Sequence, residues 1–361
     1  MSMNVETKFK VHNQRKTVII VVLLTVLLIS SLIVIGVFMM SSDDTSPNGV
    51  IHVKSEKELG EAINKAVETP VIKLDNDITL TKPLVISANK EITLTSNTGD
   101  NSFFKLTGAK DQTTITIDDG GVLQLEGIIV THEVETNGRG VTVNSGGKLF
   151  MVDGEISGNN IGDEGCGVIV YSGGSFEMSG GMISGNGGAR YGGGVFVKGF
   201  FSMSGDAVIT NNFATHYGGG VAVYFEGSFN MMDNAVIANN AASTGNGGGV
   251  YLESGSSFNM AGEARIVNNT SGNGGGVFIM PEGTFIMSNG EISDNNAYFG
   301  GGVYSSNGTF TISGGKISNN KAGDNGGGVY NLGTFNRLGG IISGNKAETH
   351  SEGSNVYNGA Y

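Results

Sequence analysis

The chain has 361 residues and a net charge of −12, with Gly 61, Pro 4, Trp 0 and Cys 1. Residues 1–16 carry +3 (Lys8, Lys10, Arg15 and Lys16 against Glu6), which leaves −15 on the remainder and argues against nucleic acid or polyanionic polymers as partners. The lone Cys166 excludes an internal disulfide framework, and glycine that recurs with a period is not disordered filler.

After the basic tail comes Thr17–Met40, 24 residues without a charge, long enough to span a bilayer with some tilt. No small-x-small cleavage site follows it, so it reads as an uncleaved signal-anchor. Basic residues precede the segment and Asp43–Asp44 follow it, which predicts a single-pass protein with residues 1–16 cytoplasmic and the body extracellular, at the cell surface. Residues 41–49 are a polar linker. "SEKELGEAINKAVE", 55–68, predicts a short helix: Ser55 can cap it with Glu58 three residues on, and Leu59, Ala62, Ile63, Ala66 and Val67 share one face. Residues 50–138 complete an N-terminal cap and first coils, because "VIKL", "ITL", "LVIS", "EITLTS", "FFKLTG", "TITIDDGGVLQLEG" and "IIVTH" read as short strands whose open edge the helix covers.

From 139 to 361 the chain repeats. Val141, Val168, Val195, Val221, Val250, Val277, Val303, Val329 and Val356 each follow a glycine-rich run or its remnant, at spacings of 26 to 29, giving eight repeats of about 27 residues. Each repeat predicts three strands. The second alternates Leu149, Phe176, Phe201, Phe229, Phe258, Phe285, Phe310 and Phe335 with polar residues, in step with Met151, Met178, Met203, Met231, Met260, Met287, Ile312 and Arg337. The third buries one isoleucine: Ile156, Ile183, Ile209, Ile237, Ile266, Ile292, Ile317 and Ile342. Like residues then stack at one strand spacing, roughly 4.8 Å, in a coil that no single repeat could stabilise alone. The fold class is all-β: a right-handed parallel β-helix, a three-sheet solenoid, behind a short capping helix and one transmembrane helix.

Three residues after each isoleucine stand Asn159, Asn186, Asn212, Asn240, Asn269, Asn295, Asn320 and Asn345. An amide has donors and acceptors, so stacked asparagines can satisfy one another in a structural internal ladder. The glycine triplets mark corners that tolerate no Cβ. Cys166 takes a middle-glycine position and is expected as a packed thiol.

These paired motifs, "GGGV" at 326–329 and "ISNN" at 317–320, resemble the GGA[ILV] and FxxN repeats of chlamydial polymorphic outer-membrane proteins. They are also similar to adhesin-like β-helix proteins within the pectin-lyase-like superfamily. The likeness covers 139–361 well and 50–138 in general style. Glycine replaces the alanine of the first motif and isoleucine the phenylalanine of the second. The resemblance implies a surface β-helix with adhesive or binding use, and it does not imply outer-membrane insertion.

The same superfamily includes polysaccharide lyases and hydrolases, which need clustered aspartates. Here acidic residues are scattered, Asp118–Asp119 reads as a solvated turn, and His132, His216 and His350 fall in unrelated repeat positions. No catalytic residue, metal site or cofactor is therefore expected, and a carbohydrate-active enzyme or a plain structural spacer is the alternative to a binding module. The residue after each repeat valine points away from the core by parity: Thr142, Ile169, Phe196, Ala222, Tyr251, Phe278, Tyr304, Tyr330 and Tyr357. Two accounts of this outward aromatic stripe stand open. Aromatics favour strands and stack on like neighbours; alternatively the row is a flat platform for glycans or a partner protein on a host or neighbouring cell. The C-terminal "GSNVYNGAY" shows no recognisable cap, so self-association through the last coil is a further expectation.

Overall fold

The computed structural model describes residues 49–66, 69–96, 102–133, 135–350 and 353–359, and Gly49–Tyr361 forms a unit of its own. The expected membrane segment Thr17–Met40 and the tail before it lie outside the described residues; among the described residues no helix is long and apolar enough to cross a membrane. The first turn of chain behaves as its capping residues dictate. Ser55 Oγ accepts the Glu58 N–H at 3.3 Å, and Glu58 reaches back one residue beyond the cap, to the Lys54 N–H at 2.7 Å. The helix is shorter than expected, Glu56–Lys65, and its buried face is Leu59, Ala62 and Ile63, which join the main core. Lys90 Nζ fastens its end through the Asn64 and Ala66 carbonyls at 3.0 and 2.8 Å.

Behind the helix the chain winds into a parallel β-solenoid. A valine sheet of 11 strands runs from Leu84–Ile86 to Val356–Asn358, a phenylalanine sheet of 12 strands from Ile51–Val53 to Thr334–Arg337, and an isoleucine sheet of 11 strands from Ile78–Thr79 to Ile341–Ser343. The pairing is in register throughout the repeats, so Val168 lies against Val195 and Val195 against Val221. In the phenylalanine sheet the rings from Phe176 to Phe335 stack with centroids 4.7–5.3 Å apart and interplanar angles of 6–14°. Burying each such ring contributes about 1.5–3 kcal/mol relative to leaving it exposed. Arg337 takes the register position of Met287 and Ile312 but lies exposed, so a charge ends the methionine column and blunts the edge there.

Three sheets were expected, and the structure has four. A sheet of seven short strands runs from Ala189–Tyr191 to Lys346–Ala347, between the isoleucine and valine sheets. It buries one small residue per coil, namely Ala189, Ala214, Ala242, Ser271, Ala297, Ala322 and Ala347. With no apolar alternation, it leaves no strand signature of the ordinary kind. It does explain the glycine triplets. In Gly247–Gly249 the first glycine has φ +70 and the second lies under the fourth sheet, where a Cβ would stand 2.6 Å from the Thr270 carbonyl oxygen. The third faces the next coil, where a Cβ would meet the Gly276 carbonyl oxygen at 2.7 Å. Cys166 fits at a middle position because its thiol points at the Gly187 carbonyl oxygen, 2.8 Å away, and burial raises its pKa above the ordinary thiol value.

The asparagines form one continuous column. From Asn159 to Asn320, each Nδ2 donates to the Oδ1 of the next coil at 2.8–3.0 Å. From Asn186 to Asn345, each also donates to the carbonyl of the isoleucine one coil back, at 2.8–3.0 Å. All the amides point the same way, so the ladder needs a donor at its first oxygen and an acceptor at its last nitrogen. His132 Nδ1 meets Asn159 Oδ1 at 2.8 Å, and Asn355 Oδ1 accepts from Asn345 Nδ2 at 3.1 Å. Both ends are closed.

Candidate functional site

The outward row of the valine sheet is not an exposed stripe along its length. Phe196 is fully buried, and Tyr251 and Phe278 are 3% and 4% exposed. Parity does turn these residues away from the core, but outward here is not solvent. Two lips fold over the sheet and make its outer face the floor of a trough. One lip is the residue preceding each glycine triplet: Glu164, Tyr191, Tyr217, Asn246, Asn273, Phe299 and then Asn325. The other is the residue that follows each valine-sheet strand: Tyr171, Lys198, Tyr224, Glu253, Met280, Ser306 and Leu332.

Where both lips are aromatic, they roof the trough. Tyr224 packs 4.9 Å from Phe196, Tyr217 stacks 4.7 Å from Tyr251, and Tyr191 joins both lips at 5.5–5.6 Å. Ile169, Phe196, Ala222, Tyr224, Tyr251 and Phe278 thus make a second apolar cluster outside the main core. Burial, then neighbouring phenols and the Glu253 carboxylate, hold the Tyr224 and Tyr251 hydroxyls far above the ordinary phenol range. They are neutral hydrogen-bonding groups at any physiological pH. The roofing tyrosines were legible only as aromatics standing directly before a glycine triplet or directly after a valine strand.

Towards the C-terminus Phe299 still packs 5.1 Å from Tyr330, but the other lip residues are Asn325, Ser306 and Leu332, and the floor becomes half-exposed. Tyr304, Tyr330 and Tyr357 are half-buried and stacked, with centroids 4.8 Å apart and planes within 15°. The rings lie face to face, so each hides its flat side against the next and turns an edge outward. A flat aromatic platform is therefore not what this row offers. It offers ring edges and phenol hydroxyls at a fixed repeat.

Lys198 sits where the trough meets the adjoining turn. Its ammonium lies 5.1 Å from the Phe196 and Phe225 ring centres and 5.5 Å from that of Tyr171, and it pairs with Glu164 at 3.0 Å. The ladder asparagines Asn159, Asn186, Asn212, Asn240, Asn269, Asn295, Asn320 and Asn345 are all buried and face no solvent. Asp118 accepts from Asn144 at 2.8 Å, His216 lies edge-on to Tyr217, and His350 pairs with Asp324. Among the described residues no three His, Cys, Asp or Glu side chains gather as a metal-binding group.

This geometry defines a parallel β-solenoid repeat protein with an outer, partly roofed trough. Compared with protein-family models, curated proteins and solved structures, the chain matches none.

Proposed function

We propose that the chain is a membrane-anchored, cell-surface β-solenoid of the right-handed, pectin-lyase-like kind, acting as an adhesive or binding module for glycans or partner proteins. The charge-free Thr17–Met40 supports the anchor, and the GGGV and IxxN repeats, similar to those of chlamydial polymorphic outer-membrane proteins, support the surface role. The observation that carries the binding reading is the opened end of the trough. The same column that is buried at Phe196 and Phe278 is half-exposed at Tyr304, Tyr330 and Tyr357. Exposed apolar rows on an otherwise polar surface mark interaction sites, and this one is held on a hydrogen-bonded scaffold that orders it in advance.

Adhesion of cells displaying the full chain tests this. Tyr304→Ser with Tyr330→Ser should lower adhesion at least tenfold. Tyr304→Phe with Tyr330→Phe keeps the stack, removes only the phenol hydroxyls, and should lose most of the same adhesion. Adhesion that survives both pairs would remove the row from the binding surface.

A further inference from the structure

The turns joining the valine sheet to the phenylalanine sheet are four residues long from Ser87–Lys90 to Met280–Gly283, with one exception, and shorten again only at the last two, 306–308 and Leu332–Gly333. Between Val197 and Phe200 the turn is only Lys198–Gly199, while its neighbours are 171–174 and 224–227. A Cβ on Gly199 would stand 2.4 Å from the Gly174 carbonyl oxygen, so glycine lets this short turn lie flat against the coil below. The result is a notch one coil wide, between flanking turns whose backbones stand about 10 Å apart, two strand spacings.

Two aromatic side chains break the repeat pattern, and both line this notch. In the outward row that opens each phenylalanine-sheet strand, Phe200 replaces the small or polar residues of neighbouring coils, Lys148, Ser175, Ser228 and Ser257. In the second turn position, Phe225 replaces Ser145, Ser172, Ser254 and Pro281. Phe225 is 61% exposed and adopts φ +52, and Glu226 beside it adopts φ +62. In the other six four-residue turns of this column only the third residue is left-handed: Asn89, Gly120, Gly146, Gly173, Gly255 and Glu282. A bulky residue in that region is an outlier, and such backbone persists chiefly at ligand clamps and switch segments.

We infer that this notch, lined by Phe200, Phe225, Lys198, Glu226 and Ser172, binds one neutral pyranose unit of a glycan chain. The inference rests on the reading of the chain as a surface binding module and gives that module a site separate from the tyrosine row. A pyranose has an apolar C–H face, which matches an aromatic wall, and a rim of hydroxyls, which matches a few convergent polar groups. The charges around the notch balance, which favours a neutral sugar over an acidic one. Two lysines line it, Lys148 and Lys198; Lys198 is matched by Glu164 at 3.0 Å, Glu226 adds a carboxylate that offsets Lys148, and the chain after residue 16 carries −15.

The test is calorimetric titration of the full chain in lipid nanodiscs with cellohexaose, mannohexaose and hexagalacturonate. Saturable binding of at least one neutral hexasaccharide, and none of hexagalacturonate, is expected. Phe225→Gly relieves the left-handed backbone, so the variant should melt no lower than the parent yet bind at least tenfold more weakly. Insertion of Ser-Gly after Lys198 restores a four-residue turn, fills the notch and should abolish binding. Tyr304→Phe with Tyr330→Phe should bind the sugar normally. No neutral sugar bound, preference for the uronate, or full affinity in Phe225→Gly would each overturn the inference. Adhesion that depends on the tyrosine row would survive all three results, so the two proposals fail separately.

Discussion

Asn240 offers a direct measurement of what the internal ladder contributes. Its Oδ1 accepts from the Asn212 backbone N–H at 2.9 Å and from Asn212 Nδ2 at 3.0 Å, and its Nδ2 donates to Asn269 Oδ1 and the Ile209 carbonyl, both at 3.0 Å. Asn240→Ala removes four bonds and strands two buried donors on Asn212. Each stranded group costs about 1–3 kcal/mol, so the local loss is about 2–6 kcal/mol. A matched control lies on the outside of the same solenoid. Asn259 Nδ2 donates to Asn230 Oδ1 at 2.9 Å across one coil, but half-buried, where water replaces the lost partner. Asn259→Ala should therefore cost about 0.5–1.5 kcal/mol at most. A solenoid opens locally, because each coil contacts only its neighbours, so the readout is native-state hydrogen exchange in peptides spanning 205–245. At tenfold per 1.4 kcal/mol, a difference of about 3 kcal/mol appears as exchange faster by about 100-fold in Asn240→Ala than in Asn259→Ala. Asn240→Asp sharpens the test. It keeps the shape and the accepting oxygen but turns a second oxygen toward two acceptors, so it should open at least as readily as the alanine variant at neutral pH. Equal protection in the Asn240→Ala and Asn259→Ala variants would refute the argument that the ladder satisfies groups water cannot reach.

Other consequences follow from single contacts. Gly248→Ala places a Cβ 2.6 Å from the Thr270 backbone oxygen and should destabilise by about 1–3 kcal/mol, whereas Gly162→Ala, with nothing within 4 Å, should be near neutral in the same urea titration. Arg337→Ile replaces the charge that ends the methionine column with an apolar side chain, and light scattering should show stronger concentration-dependent association than in the parent. Burial, opposed by Lys148, holds the Glu177 carboxyl above the ordinary glutamate range. The folded chain binds that proton more tightly than the unfolded chain does, so the contribution present below the ordinary pKa is lost as pH rises through the raised one. Glu177→Gln should flatten that segment of a melting-temperature profile against pH.

How much of this the sequence disclosed depended on whether a column repeats a distinctive side chain. Valine after a glycine run, phenylalanine two before methionine, and isoleucine three before asparagine each mark one wall, and the three main sheets follow them residue by residue. The fourth sheet repeats only an alanine or serine, flanked by segments as different as "FATHY" and "AASTGN", so periodicity passes over it. Its trace was present in another place: the middle glycine of each triplet is the imprint of backbone crossing above it. The outward stripe misled for a related reason. Parity tells inside from outside of one sheet, but it cannot say whether a neighbouring lip folds over that outside, and tyrosines at 171, 191, 217 and 224 do so. The notch was written in turn length alone, two residues against four, a difference that the compensating variation in repeat spacing conceals.

The division between fixed columns and variable turns also bears on where recognition can evolve in such a chain. A substitution in a stacked column must be matched above and below, because each side chain is packed by its own kind. A turn outside the stack carries no such debt, and changing its length by two residues alters closure entropy only slightly. Departures from the repeat should therefore collect at turns and lips. Most of the aromatic ones do so on one side: the roofed trough, its open tyrosine end and the notch adjoin the valine sheet's outer face and the turn that leaves it, while Phe213 and Tyr298 stand exposed at the fourth sheet. Lys198 joins two of them, 5.1 Å from Phe196 on the trough floor and 5.1 Å from Phe225 at the notch. The middle outward row of the phenylalanine sheet, by contrast, runs Phe150, Glu177, Ser202, Asn230, Asn259, Ile286, Thr311 and Asn336, polar but for Phe150 and Ile286. A ligand that follows the solenoid axis along the valine face would meet both aromatic features without leaving that side, which is the arrangement a multivalent surface needs if weak single contacts are to add.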